Sequence, residues 1–422
     1  MMTAINRNEI AKGVFFNSIK DNRFKTMKIT ANMIVPLTKE NASANALLCG
    51  VLSHSCKAYP DFTELSRKLS SLYGADLGTS VRKIGDNQIL RISASALDDR
   101  YVFDGDSVAL ELSELLCNVI FEPNLTNNAF SETDVEQEKR QLLDVIDSEF
   151  NDKRIYANGQ LIKNMCSDEV FGIKRFGTAE KIKECSPQSL FDTWKNLLKT
   201  ARFEIMYVGE SSSKKAEEVF ANAFNGIDRQ PQFVNTEVVR EASEPKHIIE
   251  EMELSQSKLV MGFRAGTSIP DEDVNATRLM CAILGGTASS KLFCNVREKQ
   301  SLCYYCSSSY DRVKGIITVD SGVEGDNIKK AEQGILNEIE EMKKGNITDF
   351  EMNATKMAIV NSFYSTNDTV GGIEAWYINQ LFDEKFQSIE EISNAINAVT
   401  KEQVIAAAQK ITLDTVYVLK NK

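Results

Sequence analysis

The chain has 422 residues, 42% hydrophobic and 26% charged, the make-up of a soluble globular protein of two or three domains. Lys and Arg total 49 against 60 Asp and Glu, a formal charge of −11. That balance argues against nucleic acid as a main partner, because phosphate contacts need clustered cations, and it offers no basic surface to an anionic membrane. No apolar run is long enough to span a bilayer, and the opening MMTAINRNEIAKGVFF lacks the apolar stretch of a signal peptide. Nine scattered cysteines fit reduced thiols in a cytoplasm better than a disulfide framework, so a cytoplasmic protein is expected. Two histidines, His54 and His247, cannot build a three-histidine metal site.

Strands and helices alternate along the chain. A strand is expected at FKTMKITANMIV (24–35), then a helix carrying ALLCGVL (46–52), then a strand at NQILRISASAL (87–97). Thr133 with Glu136 reads as a capping box, in which the hydroxyl takes an orphan amide and the Glu reaches back. Ser186 before Pro187 reads as an N-cap with a favoured first-turn proline, and FEIMYVG (203–209) as the strand that follows. The polar stretch 228–245 has no period and reads as a linker. Beyond it come strands at KLVMGFRAG (258–266) and GIITVDSGV (315–323). Ile328, Ala331, Ile335, Ile339 and Met342 mark one face of a helix that Gly345 ends. Thr348 with Glu351 and Thr400 with Gln403 are further capping boxes, and TVYVLK (415–420) is the last strand.

The two halves repeat. ALLCGVL resembles RLMCAIL (278–284), TDVEQEKRQLLDVIDSEF resembles TDFEMNATKMAIVNSFYS, and SPQSLFDTWKNLLKTARFEIMYV resembles TKEQVIAAAQKITLDTVYV, all in the same order. The expected fold is α+β: two homologous domains, 1–227 and 246–422, each a mostly antiparallel sheet layered with helices.

The stretch LGGTASSKLFCNVREKQSLCYYCSSSY (284–310), with the repeat and YPDFTELSRKLSSLYGADL, resembles the pitrilysin/insulinase zinc metallopeptidases, which include the processing peptidases. The resemblance implies their fold over nearly the whole chain. It also implies that Arg297 and Tyr304, which match an Arg and a Tyr seven residues apart in that family, hold a peptide backbone and help bind the developing oxyanion. The residue types suit these roles, since a guanidinium is a permanent multi-donor fork and a phenol donates to a tetrahedral oxygen. Active members carry His-x-x-Glu-His on a first-half helix and a distal Glu, two histidines one turn apart binding zinc while the Glu activates water. Here those positions fall on Ala46, Cys49, Gly50 and Val145, and Glu138 matches a supporting Glu. Ala, Gly and Val have no lone pair for a metal. GADLGTSV (74–81) matches the edge strand that the family presents to substrate, with Gly78 and Thr79 as candidate peptide-binding positions; Gly78 stands where the family often has Asn.

The family occurs as long chains or as pairs of half-length chains, and this chain has the half length. The resemblance therefore implies a non-catalytic subunit with no metal of its own, zinc residing only in a homologous partner, and a peptide as substrate; a homodimer is the other form. The alternative is a peptide-binding or scaffold protein with no hydrolytic role. Cys49, between Leu48 and Val51, reads as a core thiol, and His54 points to another side of its helix. Residues i and i+3 of a strand face opposite sides, so Cys303 and Cys306, a C-x-x-C, read as unconnected packing thiols. Gly285-Gly286 reads as a tight turn or close packing between helices.

Overall fold

The computed structural model describes residues 5–103 and 105–422. The first half runs β1 (Asn6–Ala11), β2 (Val14–Lys20), β3 (Thr26–Pro36), α1 (Ala42–Val51), α2 (Phe62–Ser71), β4 (Asp76–Ile84), β5 (Asn87–Leu97), α3 (Val108–Phe121), α4 (Glu132–Asn151), α5 (Lys153–Met165), α6 (Ala179–Glu184), α7 (Pro187–Thr200), β6 (Arg202–Gly209) and α8 (Ser213–Ala223). The second runs β7 (Lys246–Met252), β8 (Ser257–Arg264), α9 (Val274–Gly285), a wide π-helical segment (Leu292–Lys299), β9 (Cys303–Asp311), β10 (Ile316–Val323), α10 (Ile328–Lys343), α11 (Asp349–Ser365), α12 (Val370–Ile378), α13 (Ile389–Ala398), α14 (Lys401–Gln409) and β11 (Thr412–Asn421).

One sheet has the order β1-β2-β6-β3-β5-β4, the other β7-β11-β8-β10-β9. Leaving out β1, the two orders correspond strand for strand. Each contains one parallel pair, β2 with β6 and β7 with β11, and is otherwise antiparallel. Alternation sets the faces. Met27, Ile29, Ala31, Met33 and Val35 of β3, with Leu90, Ile92 and Ala94 of β5, enter a core shared with α1 and α3. Leu259, Met261 and Phe263 of β8 do the same against α9 and α10. The α+β architecture with two related sheets is as the repeat implies.

The capping boxes of α11 and α14 form as expected, and Ser186 caps α7. The start of α4 differs. The helix begins at Glu132, and the Asp134 amide donates to Ser131 Oγ at 3.3 Å, so Thr133 lies inside the first turn. The same hydroxyl-to-acid spacing occurs two residues earlier, after Phe130, whose burial in the first core fixes the entry of the chain.

The chain forms two compact units that are not sequential halves. One comprises the residues up to Asp147, Ile173–Asn235 and Asn367–Ile378; the other comprises Ser148–Gly172, Thr236–Thr366 and Asn379–Lys422. Each half gives a segment to the other unit. From the first half, α5 packs Ala157 and Leu161 against Val260, Tyr417 and Leu419 of the second sheet. From the second half, α12 lies against β3 and β6. Apolar period shows which helix face is buried, but not which sheet receives it. Each exchanged helix is tied by an ion pair: Glu374 of α12 to Arg91 of β5 at 2.5 Å, and Arg154 of α5 to Asp320 of β10 at 2.5 Å. The 228–245 stretch is itself anchored. The buried guanidinium of Arg229 donates to the carbonyls of Lys12, Leu198 and Ala201.

Beyond α5, Glu169 joins two buried cations. Arg264 approaches it at 2.7 Å and Lys314 at 2.9 Å, and Arg264 also bonds Asp414 at 2.7 Å. Burial pushes the Glu169 carboxyl up, but the hydrogen bonds from Arg264 and Lys314 outweigh it and hold the group below the ordinary range.

Candidate functional site: a metallopeptidase scaffold without its zinc ligands

The positions matching a zinc motif lie together on α1, which packs on β4 and β5. Ala46, Cys49 and Gly50 are all buried. Cys49 turns its sulfur toward the carbonyls of Ser80 and Arg91, at 3.8 and 3.6 Å, and burial pushes its thiol up to about 12. It is a protonated core thiol, as its neighbours imply. A Cβ on Gly50 would stand 1.9 Å from Glu138 Oε1 and 2.2 Å from its Cδ, so a larger residue there would have to displace the Glu138 side chain. The carboxyl of Glu138, from α4, occupies the space over Gly50 and lies 3.1 Å from His54 Nε2. Val145, two turns further along α4, is 44% exposed.

Zinc needs three or more nitrogen, sulfur or oxygen donors converging on one point. Here only His54 and Glu138 meet. Among the described residues no group of three or more His, Cys, Asp or Glu side chains could hold a metal. The donor set does not fit the zinc of the active peptidases.

Sequence reading did not find the His54–Glu138 pair, because its members lie 84 residues apart. The hydrogen bond that the ring donates to Glu138 raises the imidazole above its ordinary 6.5, against a smaller opposite effect of burial. A raised folded-state value means the pair's stabilisation is fully present below pH 6.5 and lost as pH rises through the folded value. We therefore expect the unfolding midpoint to fall across that interval, and His54→Gln to flatten this part of the profile. With two histidines in the chain, proton NMR assigns the titration directly. An imidazole titrating at or below its ordinary 6.5 would contradict the pairing.

In the second unit, Arg297 sits on the π-helical segment and Tyr304 on β9. Wide helical turns of this kind are frequent at functional sites. Arg297 lies 3.3 Å from Glu298 and stacks over Phe293 at 4.5 Å. The Tyr304 hydroxyl donates to Glu324 at 2.8 Å, which raises its phenol above the ordinary value, so it stays a donor. Arg297 and Tyr304 thus each hold a separate carboxylate. Tyr304 is 60% exposed and lines a polar cavity of about 470 Å³ with Ser255, Gln256, Ser257, Glu324, Gly325 and Asn421.

A bulge produces that exposure. Cys303 pairs opposite Val323 and Tyr305 opposite Gly322, which leaves Tyr304 as an additional residue in β9. In a regular strand Tyr304 would share the inward face of Cys306; the bulge releases it to solvent. The α9 end packs closely beneath: a Cβ on Gly285 would stand 2.6 Å from the Ser308 amide, so this glycine serves helix-to-strand contact. The expected close packing at Gly285 is present, against a strand.

Gly78 and Thr79 lie on β4, the end strand of the first sheet, opposite Ser93 and Ile92 of β5. A Cβ on Gly78 would meet nothing nearer than Ser93 Oγ at 3.9 Å, so packing does not demand glycine there.

Two sheets of one topology, exchanged helices and a ligand-free zinc position define a metallopeptidase-like protein that lacks the metal-binding set. Residues 184–359 match the family model "Peptidase M16 inactive domain". The chain is 30% identical over 408 residues, 97% of its length and 96% of the other, to the "probable inactive metalloprotease YmfF" of Bacillus subtilis. It superposes with a TM-score of 0.91 and 28% identity, over 99% of each chain, on a conserved protein of Enterococcus faecalis. A peptidase M16 inactive domain from Pseudomonas fluorescens shares the fold, with a TM-score of 0.80 at 19% identity over 99% of this chain and 98% of that one. The chain belongs to the M16, or pitrilysin/insulinase, peptidase family. No helix among the described residues is long and apolar enough to cross a membrane.

Proposed function

We propose that this protein is the non-catalytic subunit of a heteromeric zinc peptidase, holding peptide for a homologous partner that carries the zinc. The observation that carries the reading is the contrast between the two units. The zinc positions Ala46, Gly50 and Val145 have no donors, while the second unit presents Tyr304 on a bulge with Arg297 close to the same strand end. Retained polar residues at an exposed site are what a partner's chemistry would use; in this chain they have no activated water to act on. The β4 edge around Gly78 and Thr79 suits strand addition, in which backbone hydrogen bonds give affinity with little sequence preference.

The test is purification of the native chain with whatever it binds, followed by metal analysis and a peptidase assay of each component alone and mixed. The expected result is a homologous chain with His-x-x-Glu-His that holds the zinc, and turnover that needs both. About one tightly held zinc in this chain, with chelator-sensitive hydrolysis by it alone, would overturn the reading. A complex that binds peptide without cleaving it would favour the scaffold alternative.

A further inference from the structure

The bulge at Tyr304 has a second effect, on the C-x-x-C. Cys303 stands opposite Val323 and Cys306 opposite Ser321, so three residues of β9 span two positions of β10. The cysteines are thereby brought to one face, correcting the expectation from a regular strand. Two positions amount to about 6.6 Å along a strand, at the upper end of the roughly 4.4–6.8 Å that disulfides bridge between Cα atoms. Cys303 packs against the same core that Cys306 enters. Cys306 is buried in the second core and Cys303 is half-buried at its rim.

The other buried thiols are inert. Burial pushes Cys49, Cys166 and Cys281 up to about 12. Cys303 goes the other way: the hydrogen bond with Cys306, helped by Ser321 and the nearby charge of Arg297, outweighs burial and brings it down to about 7. A thiol lowered in this way ionises more readily than its buried neighbours, and the thiolate is the nucleophile.

We propose that Cys303 and Cys306 are a redox-active dithiol that closes to an intramolecular disulfide by exchange with a low-molecular-weight disulfide. The Cys303 thiolate attacks one sulfur of the small disulfide, forming a mixed disulfide and expelling one thiolate. Cys306 loses its proton to that thiolate and attacks Cys303 Sγ, expelling the second. Two electrons and two protons pass from the dithiol to the small disulfide, which leaves as two thiols. The closed ring contains Tyr304, so oxidation tightens the bulge that presents it. The proposal rests on the register of β9 and stands apart from the peptidase-subunit reading.

The test is to expose the reduced full chain to oxidised glutathione under native conditions and map the products by mass spectrometry. The expected first product has lost two hydrogens, carries no glutathione, and links Cys303 to Cys306 while the other cysteines stay reduced. Cys306→Ser should stop at a glutathione adduct on Cys303, because no second thiol is left to displace it. Cys303→Ser should give no linked product. Adducts on Cys294 before any change at Cys303, or a wild-type chain in which both cysteines stay reduced, would overturn the proposal; because the mapping is made on the wild-type chain, it does not depend on either variant folding.

Discussion

On the proposed role as a peptidase subunit, Arg297→Ala combined with Tyr304→Phe is expected to leave the chain folded and able to assemble while turnover by the assembled pair falls steeply. Loss of one oxyanion donor costs on the order of 10²–10³ in rate in enzymes that use such donors. The fold should tolerate both changes. Tyr304 is largely in solvent on its bulge, and Arg297 contacts a neighbouring carboxylate and the Phe293 ring. Exposed substitutions of this kind usually change stability little. The measurement is the unfolding midpoint of the variant, then complex formation and peptide turnover with zinc-loaded partner. Full turnover by the double variant would make the motif a relic of ancestry. Unfolding with lost assembly would make it part of the packing.

Glu169→Gln is expected to destabilise the second unit by about 3–5 kcal/mol, the usual cost of removing one partner from a buried ion pair. The reason is geometric. Lys314 and Arg264 are almost entirely buried, and Glu169 is a carboxylate they share. After the change, Arg264 keeps Asp414, and Lys314 keeps a hydrogen bond to the Glu237 carbonyl. The negative charge between two buried cations is then gone. Because the folded-state value of Glu169 lies below its ordinary 4.5, the wild-type contribution is present above that pH and is lost as pH falls through the folded value. Denaturant unfolding followed against pH checks both statements. Glu64→Gln, at the exposed Arg67–Glu64 pair, is the control and should change little. Equal midpoints for Glu169→Gln and wild type near neutral pH would show that the buried cluster contributes nothing.

Much of the fold was legible because alternation and caps are local. The strands centred on β3, β5, β8 and β10 follow from which residues alternate, and Thr348 and Thr400 cap where their spacing says. Thr133 misled because a second hydroxyl with an acid three residues on, Ser131 with Asp134, lies in the same stretch, and the buried anchor Phe130 selects between them. The missing metal donors were legible from residue type alone. Other features were not, for one physical reason: they are relations between distant segments. That Glu138 fills the space over Gly50 depends on how α4 crosses α1. That Tyr304 turns outward depends on a residue without a partner in β10, which LCYYCSSSY does not mark. The destination of α5 and α12 is a property of two sheets.

Those exchanged helices pose a problem of fidelity. Repeated halves offer each helix two similar docking surfaces, its own sheet and the other one, and apolar contact discriminates weakly between them. The ion pairs have opposite polarity on corresponding strands: the helix supplies the acid and the strand the base in one unit, and the reverse holds in the other. Docked at home, Arg154 would meet the strand of Arg91, and Glu374 the strand of Asp320, so each mispairing would set like charges together. Repulsion of that kind rejects the wrong partner, alongside the attraction that selects the right one. The charge pattern thus works as an address, carried within a single chain, that distinguishes a duplicated fold from its own copy.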